Sequence, residues 1–504
     1  MDRSKPDSSP RSKPGVDFLQ LDLGQAPAGG LSGYLAEQLR AAIADGRLPV
    51  GARVPPGRVL AEELRVSRGV VTEAYQRLIE DGQLAGRGRA GTFVVAAPIA
   101  AARQAVPGAG AGAIALAAPL IDFATEPGAE VFDALRASPA RIDLTPGVPD
   151  LAAFPRTAWL RAERRVLAEV SPTAFGYGDP RGVEPFRRAV ADWLARYRGL
   201  RVHPDEVVVV TGVAQALGLV ADVLRREGLG AIAVEDPGSL GVRQHLRYQG
   251  FETPPVPVDG AGLRVDALRA CGVRAVALTP AHQFPTGAVL DGRRRRDLVL
   301  WAQEQDGLIL EDDYDAEHRY DRPPVPALHA MLPERVCYAG SVSKTLAPAL
   351  RIGWLVPPPR HRDTVIAAKR YADLGNAVLP QLVLTELMAS GELEAHLRMV
   401  RQRHRRRRDA MIAAIREHLP AARVHGAAAG LHLTVTFESE PDFADTALAA
   451  LALERGVKAQ PLSWHRQLPG RPGLVLGYAA TTPTDAVDGV VLIAEAYAEL
   501  LSSR

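Results

Sequence analysis

The sequence predicts two folds in one chain: a small winged helix-turn-helix domain, then a large α/β domain with a mostly parallel sheet. Residues 31–95 show short helical patterns followed by a glycine-rich hairpin sequence. From about residue 140 onward, uninterrupted apolar runs alternate with helical patterns, which is typical of sheets covered on both faces. A stretch rich in alanine, glycine and proline separates the two regions, which favours two independent domains.

Composition excludes several classes of protein. The chain has 504 residues, of which 47% are hydrophobic and 23% charged, so it is neither disordered nor fibrous. The 60 lysines and arginines nearly balance the 58 acidic residues. This balance excludes a histone-like polycation but leaves open a basic patch on one domain. Cys271 and Cys337 are the only cysteines, which excludes a disulfide scaffold and a cysteine-rich zinc site, and we expect no metal.

The N-terminus and the hydropathy pattern predict a cytoplasmic protein. Residues 1–15 are polar and lack the apolar core of a signal peptide. No apolar run reaches the roughly 18 residues needed to span a bilayer. We therefore expect a soluble protein that has no membrane partner.

Composition also divides the chain into segments. The predicted segments are a disordered tail over 1–28, a winged helix-turn-helix domain over 29–95, a linker over 96–135 and a large domain over 136–504. The first part of the linker has almost no charge. A buried helix is the alternative for this part, but Pro98 and Pro107 would break it.

Helical spacing in the small domain predicts three helices, Tyr34–Ala44, Arg58–Leu64 and Arg68–Glu80. A tight turn separates the last two, and Ser67 stands at the N-cap position of the third. The buried stripe of this third helix is predicted to consist of Val71, Ala74, Tyr75 and Leu78.

The open face of the third helix carries residue types that can contact DNA bases and phosphates. The hairpin sequence Gly-Arg-Gly-Arg-Ala-Gly at 86–91, followed by a strand over Thr92–Val95, suits a wing laid on the DNA backbone or in the minor groove. The candidate DNA-binding residues are Arg58, Ser67, Arg68, Thr72, Gln76, Arg77, Arg87 and Arg89. An ordinary three-helix unit with a solvated face stays open, since residues 31–95 have nine arginines against seven acids.

The same block resembles the DNA-binding domain of the GntR family of bacterial regulators. The resemblance covers YLAEQLRAAIADGRLPVGARVPPGRVLAEELRVSRGVVTEAYQRLIEDGQL and the GTFV that follows, and the pattern LAEEL-x-VSR-x-VV-x-x-AY-x-x-L is specific. One departure is Pro56-Gly57-Arg58, where the family more often has two serines before the arginine. The resemblance implies a double-stranded DNA operator as the partner.

Six apolar runs predict the strands of the large domain: Val207–Val210, Ala231–Val234, Ala275–Leu278, Leu308–Leu310, Val336–Ala339 and Ile352–Val356. Polar residues follow or end five of them: Thr211-Gly212, Glu235-Asp236, Thr279-Pro280, Asp312-Asp313 and Ser341 to Lys344. Ligands of open α/β sheets bind beyond the carboxyl ends of the strands, so we predict that these segments converge on one site.

The residue types at this site suggest a specific chemistry. Backbone N–H groups at the helix start over 212–215 could hold a phosphate, and Arg351 could bind the same phosphate. Asp312 could pair with a protonated ring nitrogen, and Tyr314 could contact a ring oxygen. A desolvated Lys344 could form a Schiff base. The alternatives are a solvated acidic loop or a metal site for the acids, and an ordinary surface residue for the lysine.

Several strings resemble pyridoxal-phosphate aminotransferases of fold type I. They are FGYGDPRGVEPFRRAVADWL (175–194), VEDPG (234–238), TPAHQFPTGAVL (279–290), ILEDDYDAE (309–317) and SVSKTLAPALRIGWL (341–355). The order of winged helix, linker and aminotransferase-like domain resembles the MocR/GabR family of bacterial transcription regulators, as does DLTPGVPDLAAFPRTAWLR (143–161). The resemblance implies a fold-type-I transferase-like domain with a C-terminal α+β subdomain, and a homodimer.

The resemblance also implies pyridoxal 5'-phosphate as the cofactor, with a role for each matching residue. Lys344 would be the catalytic residue that forms the Schiff base with the cofactor. Asp312 would pair with the pyridine nitrogen, and Tyr314 would contact the ring hydroxyl. The phosphate end of the site would be formed by Arg351, Gly212, Val213, Ala214, Gln215, Ser341 and Ser343.

Three positions depart from the aminotransferase pattern. Ser239 stands where family members often have an aromatic residue that stacks on the cofactor ring. Phe284 replaces the ring-contacting asparagine of true aminotransferases, which favours a regulator over an efficient enzyme. The segment GLVLGYA at 473–479 contains no arginine to bind a substrate carboxylate, so Arg466 and Arg471 are the candidates for an effector carboxylate.

Three hypotheses for function remain. The first is a DNA-binding regulator whose large domain senses pyridoxal phosphate or an amino compound. The second is a working aminotransferase with an appended DNA-binding domain, and the third is a dimerisation scaffold with an inactive pocket. The linker and the complete helix-turn-helix favour the first over the second, and Lys344, Asp312 and Tyr314 favour it over the third.

The arginine-rich run Arg398–Arg408 also has two interpretations. It could be a second nucleic-acid patch, or a long solvated helix. The flanking Glu392, Glu394 and Asp409 favour the solvated helix.

Overall fold

A computed structural model describes residues 26, 30–44, 47–86, 88, 91–95, 121–123, 127–315, 317–320, 325–438 and 443–502. The chain forms two compact units, 1–116 and 117–504, which are described separately. Nearly all of the predicted tail, residues 96–120 of the predicted linker, and Arg87 and Arg89 lie outside the described residues. Among the helices that the structure describes, none is both long and apolar enough to cross a membrane.

The small unit is the predicted winged helix. Its elements are α1 (Leu31–Ala44), α2 (Gly57–Glu63), α3 (Arg68–Glu80), β1 (Leu84–Gly86) and β2 (Thr92–Val94). The two strands pair antiparallel. Ser67 caps α3, since its Oγ accepts a hydrogen bond from the Val70 N–H at 3.4 Å. The four residues of the predicted stripe are all buried, so the stripe is confirmed.

The large unit contains fourteen strands and twelve α-helices within the described residues. Its strands are β3 (Ile142–Asp143), β4 (Val208–Val210), β5 (Ala233–Asp236), β6 (Pro255–Asp259), β7 (Gly262–Leu263), β8 (Ala275–Leu278), β9 (Leu308–Asp313), β10 (Val336–Ser341), β11 (Gly353–Val356), β12 (Ala422–His425), β13 (His432–Phe437), β14 (Val457–Lys458), β15 (Gln460–Pro461) and β16 (Gly473–Gly477). Its helices are α4 (Val131–Ala137), α5 (Arg156–Glu169), α6 (Glu184–Arg198), α7 (Val213–Arg226), α8 (Leu240–Tyr248), α9 (Val265–Ala270), α10 (Gly292–Glu304), α11 (Pro359–Asp373), α12 (Val378–Ala389), α13 (Glu392–His418), α14 (Asp445–Glu454) and α15 (Pro483–Ser502).

The main sheet has eight strands in the order β4-β11-β10-β9-β8-β5-β6-β7. All six predicted strands are present in it, and the prediction of a mostly parallel sheet is confirmed. Two strands depart from this direction: β11 runs antiparallel to both of its neighbours, and β7 runs antiparallel to β6. Because β11 is reversed, its first residues lie at the edge where the neighbouring strands end.

Helices cover both faces of the sheet, which explains the uninterrupted apolar strands. In β4, Val209 packs with Phe186 and Val190 of α6 on one face. Val208 and Val210 pack with α7, α8 and α11 on the other face. Successive side chains of a strand point to opposite faces, so every residue of this strand is buried.

A C-terminal α+β subdomain packs beside the main sheet and is formed by the antiparallel sheet β12-β13-β16-β15 with α14 and α15. Its core includes Phe123, whose ring stacks on Trp464 at 5.3 Å, and Leu135 of α4. The interpretation of 96–135 as linker throughout is therefore wrong at its C-terminal end. The apolar side chains of this end give it a surface to bury against the subdomain.

The arginine-rich run lies in α13, so the predicted helix is present. It is not solvated on all sides, because His404, Arg407 and Arg408 are buried. Arg407 Nη1 lies 2.9 Å from Asp150 Oδ2, and the Arg408 guanidinium lies 4.9 Å from the centroid of the Tyr320 ring. Long arginine stems bury well when the charged head finds such partners, and these two are not available as a nucleic-acid patch.

Candidate cofactor site and DNA interface

The five predicted strand-end segments meet at one edge of the main sheet. A cavity of about 650 Å³ opens there, and nine of the ten predicted cofactor residues line it. These nine are Gly212, Val213, Ala214, Asp312, Tyr314, Ser341, Ser343, Lys344 and Arg351. The tenth, Gln215, does not line the cavity.

Lys344 follows β10 and presents its amine to the cavity. Its Nζ donates a hydrogen bond to the Gly147 carbonyl oxygen at 2.5 Å. Burial lowers the pKa of Lys344, although the charges of Asp312 and Asp315 oppose this shift. Gly147 has a φ of +84°, and a Cβ there would lie 3.3 Å from Lys344 Nζ, so glycine is favoured on both counts.

Two buried histidines hold the backbone of the lysine loop. His318 Nε2 lies 3.1 Å from the Lys344 carbonyl oxygen, and His396 Nε2 lies 3.0 Å from the Thr345 carbonyl oxygen. Burial lowers the pKa of His318 to about 4 and also lowers the pKa of His396, so both rings are neutral at pH 7. The sequence patterns gave no signal for either histidine.

Asp312 lines the cavity and carries an unsatisfied hydrogen-bond acceptor. Its pKa is raised to about 7, chiefly by burial and also by the nearby carboxylates of Asp313 and Asp315, while Lys344 opposes this shift. Its Oδ1 is buried and has no hydrogen-bond partner. A buried acceptor without a donor is rare and costly, so the site suits a ligand that carries a proton on a ring nitrogen. The residues therefore fit a pyridinium ring.

The neighbouring acids have other partners, which separates their roles. Glu311 accepts hydrogen bonds from the backbone N–H groups of Leu328 and His329. Asp313 pairs with Arg198 through both carboxylate oxygens, at 2.5 and 2.8 Å. The strand period places Asp312 on the opposite face from these two residues. The alternative of a solvated acidic loop is therefore wrong.

Tyr314 belongs to a polar chain that the sequence patterns did not predict. Its hydroxyl lies 3.1 Å from His282 Nδ1, which lies 2.7 Å from Asp315 Oδ2. Burial raises the pKa of Tyr314 well above its ordinary value, and Asp315 adds to this. Burial alone would raise the pKa of Asp315, but His282 holds it below the usual range. The one available signal was a histidine shortly after the strand-end pair Thr279-Pro280.

The other end of the cavity is suited to a phosphate. Gly212 is the N-cap of α7, with a φ of +117°. The Arg351 Nη1 and Nη2 atoms lie 3.6 Å from the point that a Cβ on Gly212 would occupy. Val213 and Ala214 line the cavity at the same end, and the first N–H groups of a helix have no partner within the helix. Donors and a guanidinium so arranged can bind an anion from two sides.

The side chain of Gln215 has a role that the sequence did not predict. Its Oε1 accepts a hydrogen bond from the Thr211 N–H at 2.8 Å, and its Nε2 donates to Asp373 Oδ2 at 2.6 Å. The side chain therefore turns away from the cavity, and only the backbone of Gln215 remains at the helix start. A residue at the third helical position can satisfy backbone groups of its own turn.

Two of the three departures from the aminotransferase pattern, Ser239 and Phe284, line the cavity. Ser239 caps α8 through its Oγ, which accepts from the Val242 N–H at 3.3 Å, and so offers no ring. The Phe284 ring lies edge-on to Tyr314, with centroids 6.2 Å apart, and 4.9 Å from the ring of His432. Aromatic contact in this cavity therefore comes from this group rather than from position 239.

Neither predicted effector arginine lines the cavity. Arg471 is exposed, and its Nη1 lies 2.8 Å from Glu438 Oε1. Arg466 Nη1 donates to the Arg471 carbonyl oxygen instead. The loop before β16 folds back on itself, so closeness in sequence to a buried strand did not bring these side chains to the site. Arg136 of α4 lines the cavity, and no sequence pattern pointed to it.

In the small unit, α3 presents most of the predicted DNA contacts. Arg68, Thr72 and Gln76 are exposed on its open face, and Arg58 is exposed at the start of α2. The Gln76 Nε2 donates to Glu80 Oε1 at 2.9 Å, an exposed contact that DNA could replace. Ser67 is exposed as well, although its hydroxyl serves as the helix cap.

Arg77 does not share this exposure. Its side chain is only 24% exposed and pairs with Glu73 at 2.8 Å. A Cβ on Gly33 of α1 would lie 3.0 Å from Arg77 Nη1, so this guanidinium packs against α1. The helical spacing placed Arg77 on the open face of α3, but packing of α1 covers the margin of that face where Arg77 lies. Arg53 is a candidate that the patterns missed, since it is exposed and its guanidinium lies against Gly91 at the base of the hairpin.

Comparisons with known proteins agree with both units. A family model of class I and II aminotransferases matches residues 140–472, and a model of bacterial regulatory proteins of the gntR family matches residues 31–94. A probable rhizopine catabolism regulatory protein, MocR of Rhizobium meliloti, is 33% identical over 93% of this chain and 94% of its own. The pyridoxine biosynthesis transcriptional regulator PdxR of Corynebacterium glutamicum is 32% identical over 88% of this chain and 91% of its own.

A solved structure resembles the large unit. It is the alpha-aminoadipate aminotransferase LysN of Thermus thermophilus, complexed with N-(5'-phosphopyridoxyl)-L-leucine. The TM-score is 0.67 and the sequence identity is 27%, with coverage of 76% of this chain and 98% of that chain. The large unit therefore has the fold of a class I and II aminotransferase.

Proposed function

Because the chain belongs to the MocR-type transcription regulators, which join a GntR-family DNA-binding domain to a class I and II aminotransferase domain, we propose that its large domain senses pyridoxal 5'-phosphate or an amino compound that reacts with it. The small domain binds an operator in double-stranded DNA. Sensing changes how two such domains in a homodimer engage their half-sites.

One observation carries the cofactor part of this proposal. Lys344 and Asp312 line one cavity, Asp312 Oδ1 is buried without a hydrogen-bond partner, and Arg351 and the start of α7 form the other end of the cavity. An amine, an unpaired carboxylate and an anion site match the three functional parts of pyridoxal phosphate. The bound cofactor would supply an aldehyde that captures amines and a ring that withdraws electrons.

Each of these residues has a task that follows from its surroundings. Burial lowers the pKa of Lys344, so its amine loses a proton more readily and becomes a nucleophile. Asp312 holds a proton on the ring nitrogen. Tyr314, fixed by His282, donates to or accepts from a ring oxygen. Arg351 and the first N–H groups of α7 hold the phosphate.

The geometry of the small domain supports the DNA part. The capped helix α3 has a complete buried stripe and an open face with Arg68, Thr72 and Gln76. A helix with these features can enter the major groove while the hairpin contacts the backbone. The near-neutral net charge of the whole chain does not oppose this, since specificity depends on local contacts.

The alternative is a working aminotransferase with an appended DNA-binding domain. The presence of Lys344, Asp312 and Tyr314 in one cavity favours this enzyme over an inactive scaffold, which would not need these residues. Against it, Phe284 lines the cavity, and Arg466 and Arg471 do not. An enzyme that binds amino acids would gain from a carboxylate-binding arginine inside the site, and Arg136 would have to supply it, since Arg351 lies at the phosphate end.

Footprinting of the DNA upstream of the protein's own gene, with and without pyridoxal phosphate, tests the regulator. We expect two protected half-sites whose occupancy changes with the cofactor. Absence of protection in both conditions would contradict the proposal. Many turnovers of amino-group transfer per protein molecule, together with that absence, would favour the enzyme.

A further inference from the structure

A buried lysine outside the cavity has no role in the site described above. Lys369 lies on α11, and its side chain is fully buried. Its Nζ donates to Asp373 Oδ1 and Oδ2 at 2.7 and 2.5 Å and to Asn376 Oδ1 at 2.6 Å. Lysines are rarely buried completely unless they are paired, so this placement requires an explanation.

The contacts of Lys369 extend to the phosphate end of the cavity. The Nζ lies 3.2 Å from Gln215 Oε1, the same atom that accepts the Thr211 N–H. Gln215 also donates to Asp373. We call Lys369, Asp373, Asn376 and Gln215 the Lys369 cluster.

The cluster reaches the second phosphate contact as well. Asn376 Nδ2 lies 3.5 Å from the carbonyl oxygen of Arg351. Arg351 has a φ of +53°, a left-handed conformation that costs free energy in a residue with a side chain. One buried cluster thus contacts Thr211, next to the N-cap Gly212, and the strained residue whose guanidinium lies beside that glycine.

We propose that the Lys369 cluster is a positioning device that fixes the start of α7 and Arg351 in the geometry needed to bind the phosphate group of the cofactor. This inference rests on the proposed function and adds to it the residues that set phosphate affinity. Lys369 does not line the cavity, so it acts through Gln215 and Asn376 and does not touch the ligand.

The charges of the cluster predict an asymmetry between its members. Burial lowers the pKa of Lys369, and Asp373 opposes this shift. Burial would raise the pKa of Asp373, but Lys369 and Gln215 hold it below the usual range, so the two form an ion pair. Removing the lysine leaves a carboxylate without its cation near a site for a dianion. Removing the carboxylate instead leaves an unpaired cation at this place, and a cation does not repel the phosphate group.

The test compares ligands with and without phosphate. Dissociation constants for pyridoxal 5'-phosphate and for pyridoxal are measured by absorbance titration of the full-length wild type, Lys369→Met, Asp373→Asn and the double variant. We expect Lys369→Met to weaken the binding of pyridoxal phosphate about tenfold or more, by analogy with the loss of outer-shell partners at metal sites. Pyridoxal affinity should change by less than about twofold, since pyridoxal has no phosphate to position.

The charge argument gives two further expectations for the same titration. Asp373→Asn should weaken pyridoxal phosphate less than Lys369→Met does, and the double variant should bind it better than Lys369→Met alone. Lys458→Met is the matched control, because Lys458 is another buried lysine, whose Nζ donates to the Arg136 carbonyl oxygen. The control should leave the ratio of the two affinities unchanged.

The outcomes separate the two proposals. If the wild type binds neither ligand, the proposed cofactor is wrong and this inference falls with it. If the wild type binds pyridoxal phosphate but Lys369→Met weakens both ligands equally or neither, only the positioning role is overturned. If Lys369→Met does not fold, the ratio of the two dissociation constants is measured for Asn376→Ala instead, since this variant removes the contact to Arg351.

Discussion

Arg351 and Gly212 lie opposite each other across the junction of two antiparallel strands. The register pairs Gly353 of β11 with Val210 of β4. Continued by two residues, the same register brings Arg351, which precedes β11, to Gly212, which follows β4. The reversed direction of β11 therefore builds the phosphate end of the cavity from residues that are 139 positions apart in the chain.

Gly212→Ala should disturb this arrangement. The φ of +117° at Gly212 strains any residue with a Cβ, and the new methyl group would lie 3.6 Å from the Arg351 guanidinium. We expect a loss of about 1–3 kcal/mol in the free energy of unfolding and weaker binding of pyridoxal phosphate than in the wild type. Denaturant unfolding and absorbance titration measure the two effects. Gly230→Ala is the control, because no heavy atom lies within 4 Å of its Cβ position; equal losses in both variants would contradict the argument.

Lys344→Ala tests the covalent capture of the cofactor. The wild type with pyridoxal phosphate should show an absorption band near the visible edge. The variant should not show it, because Lys344 is the only lysine among the described residues that line the cavity. The fold should persist, since the side chain contributes one hydrogen bond, to Gly147. Circular dichroism checks the fold, and Lys458→Met should keep the band. An unchanged band in Lys344→Ala would show that the lysine has another role.

Asp312→Asn should change how the stability of the cofactor-free protein depends on pH. Burial raises the folded-state pKa of Asp312 to about 7, above its value of about 3.9 in an unfolded chain. The stability that this group contributes is complete below about pH 4 and is lost as the pH rises towards 7. Each pH unit of that difference is worth about 1.4 kcal/mol, so the maximum effect is a few kcal/mol.

As the pH rises from about 4 to about 8, the free energy of unfolding should therefore fall in the wild type relative to the variant. Urea unfolding at both ends of this range measures the difference. Asp313→Asn is the contrasting variant, because it leaves the buried Arg198 without its carboxylate partner and should destabilise the protein at both pH values. A difference between Asp312→Asn and wild type that is independent of pH would contradict the assignment.

The sequence predicted those parts of the fold that depend on local patterns. The six buried strands were recognisable because residues such as Val208–Val210 are apolar without interruption. The direction of β11 was not predictable, since an apolar strand has the same composition in either direction. The burial of α4 was missed because its few apolar residues follow a stretch with no packing pattern.

The site was predictable where neighbouring strands end, and less so elsewhere. Asp312, Tyr314 and Lys344 lie at such ends, and the parallel sheet brings them together. His282 and Lys369 are single polar residues whose partners are distant in sequence, so no local spacing marks them. Arg466 and Arg471, the arginines predicted to bind an effector carboxylate, do not reach the cavity because a loop, not a strand, directs their side chains. The prediction that Arg77 lies on the open face of α3 was wrong, because packing of α1 covers the margin of that face.

Arg68→Ala and Arg77→Ala give opposite expectations for DNA binding. Arg68 is exposed at the first position of α3, so its loss should weaken operator binding. If it contacts a base edge, discrimination against altered operators should fall by about 1–3 kcal/mol. If it contacts a phosphate, all sequences should weaken alike and the salt slope should fall by about one unit. Fluorescence anisotropy with operator and altered-operator duplexes at several salt concentrations distinguishes these outcomes.

Arg77 serves as the matched control on the same helix. Its guanidinium pairs with Glu73 and packs against α1, so Arg77→Ala should lower the stability of the small domain without changing sequence discrimination. Operator binding by Arg77→Ala, measured well below its melting temperature, should remain close to that of the wild type, since this guanidinium packs against α1 and does not lie on the open face. A larger loss in Arg77→Ala than in Arg68→Ala would mean that α3 approaches DNA by its α1-facing margin and not by its open face.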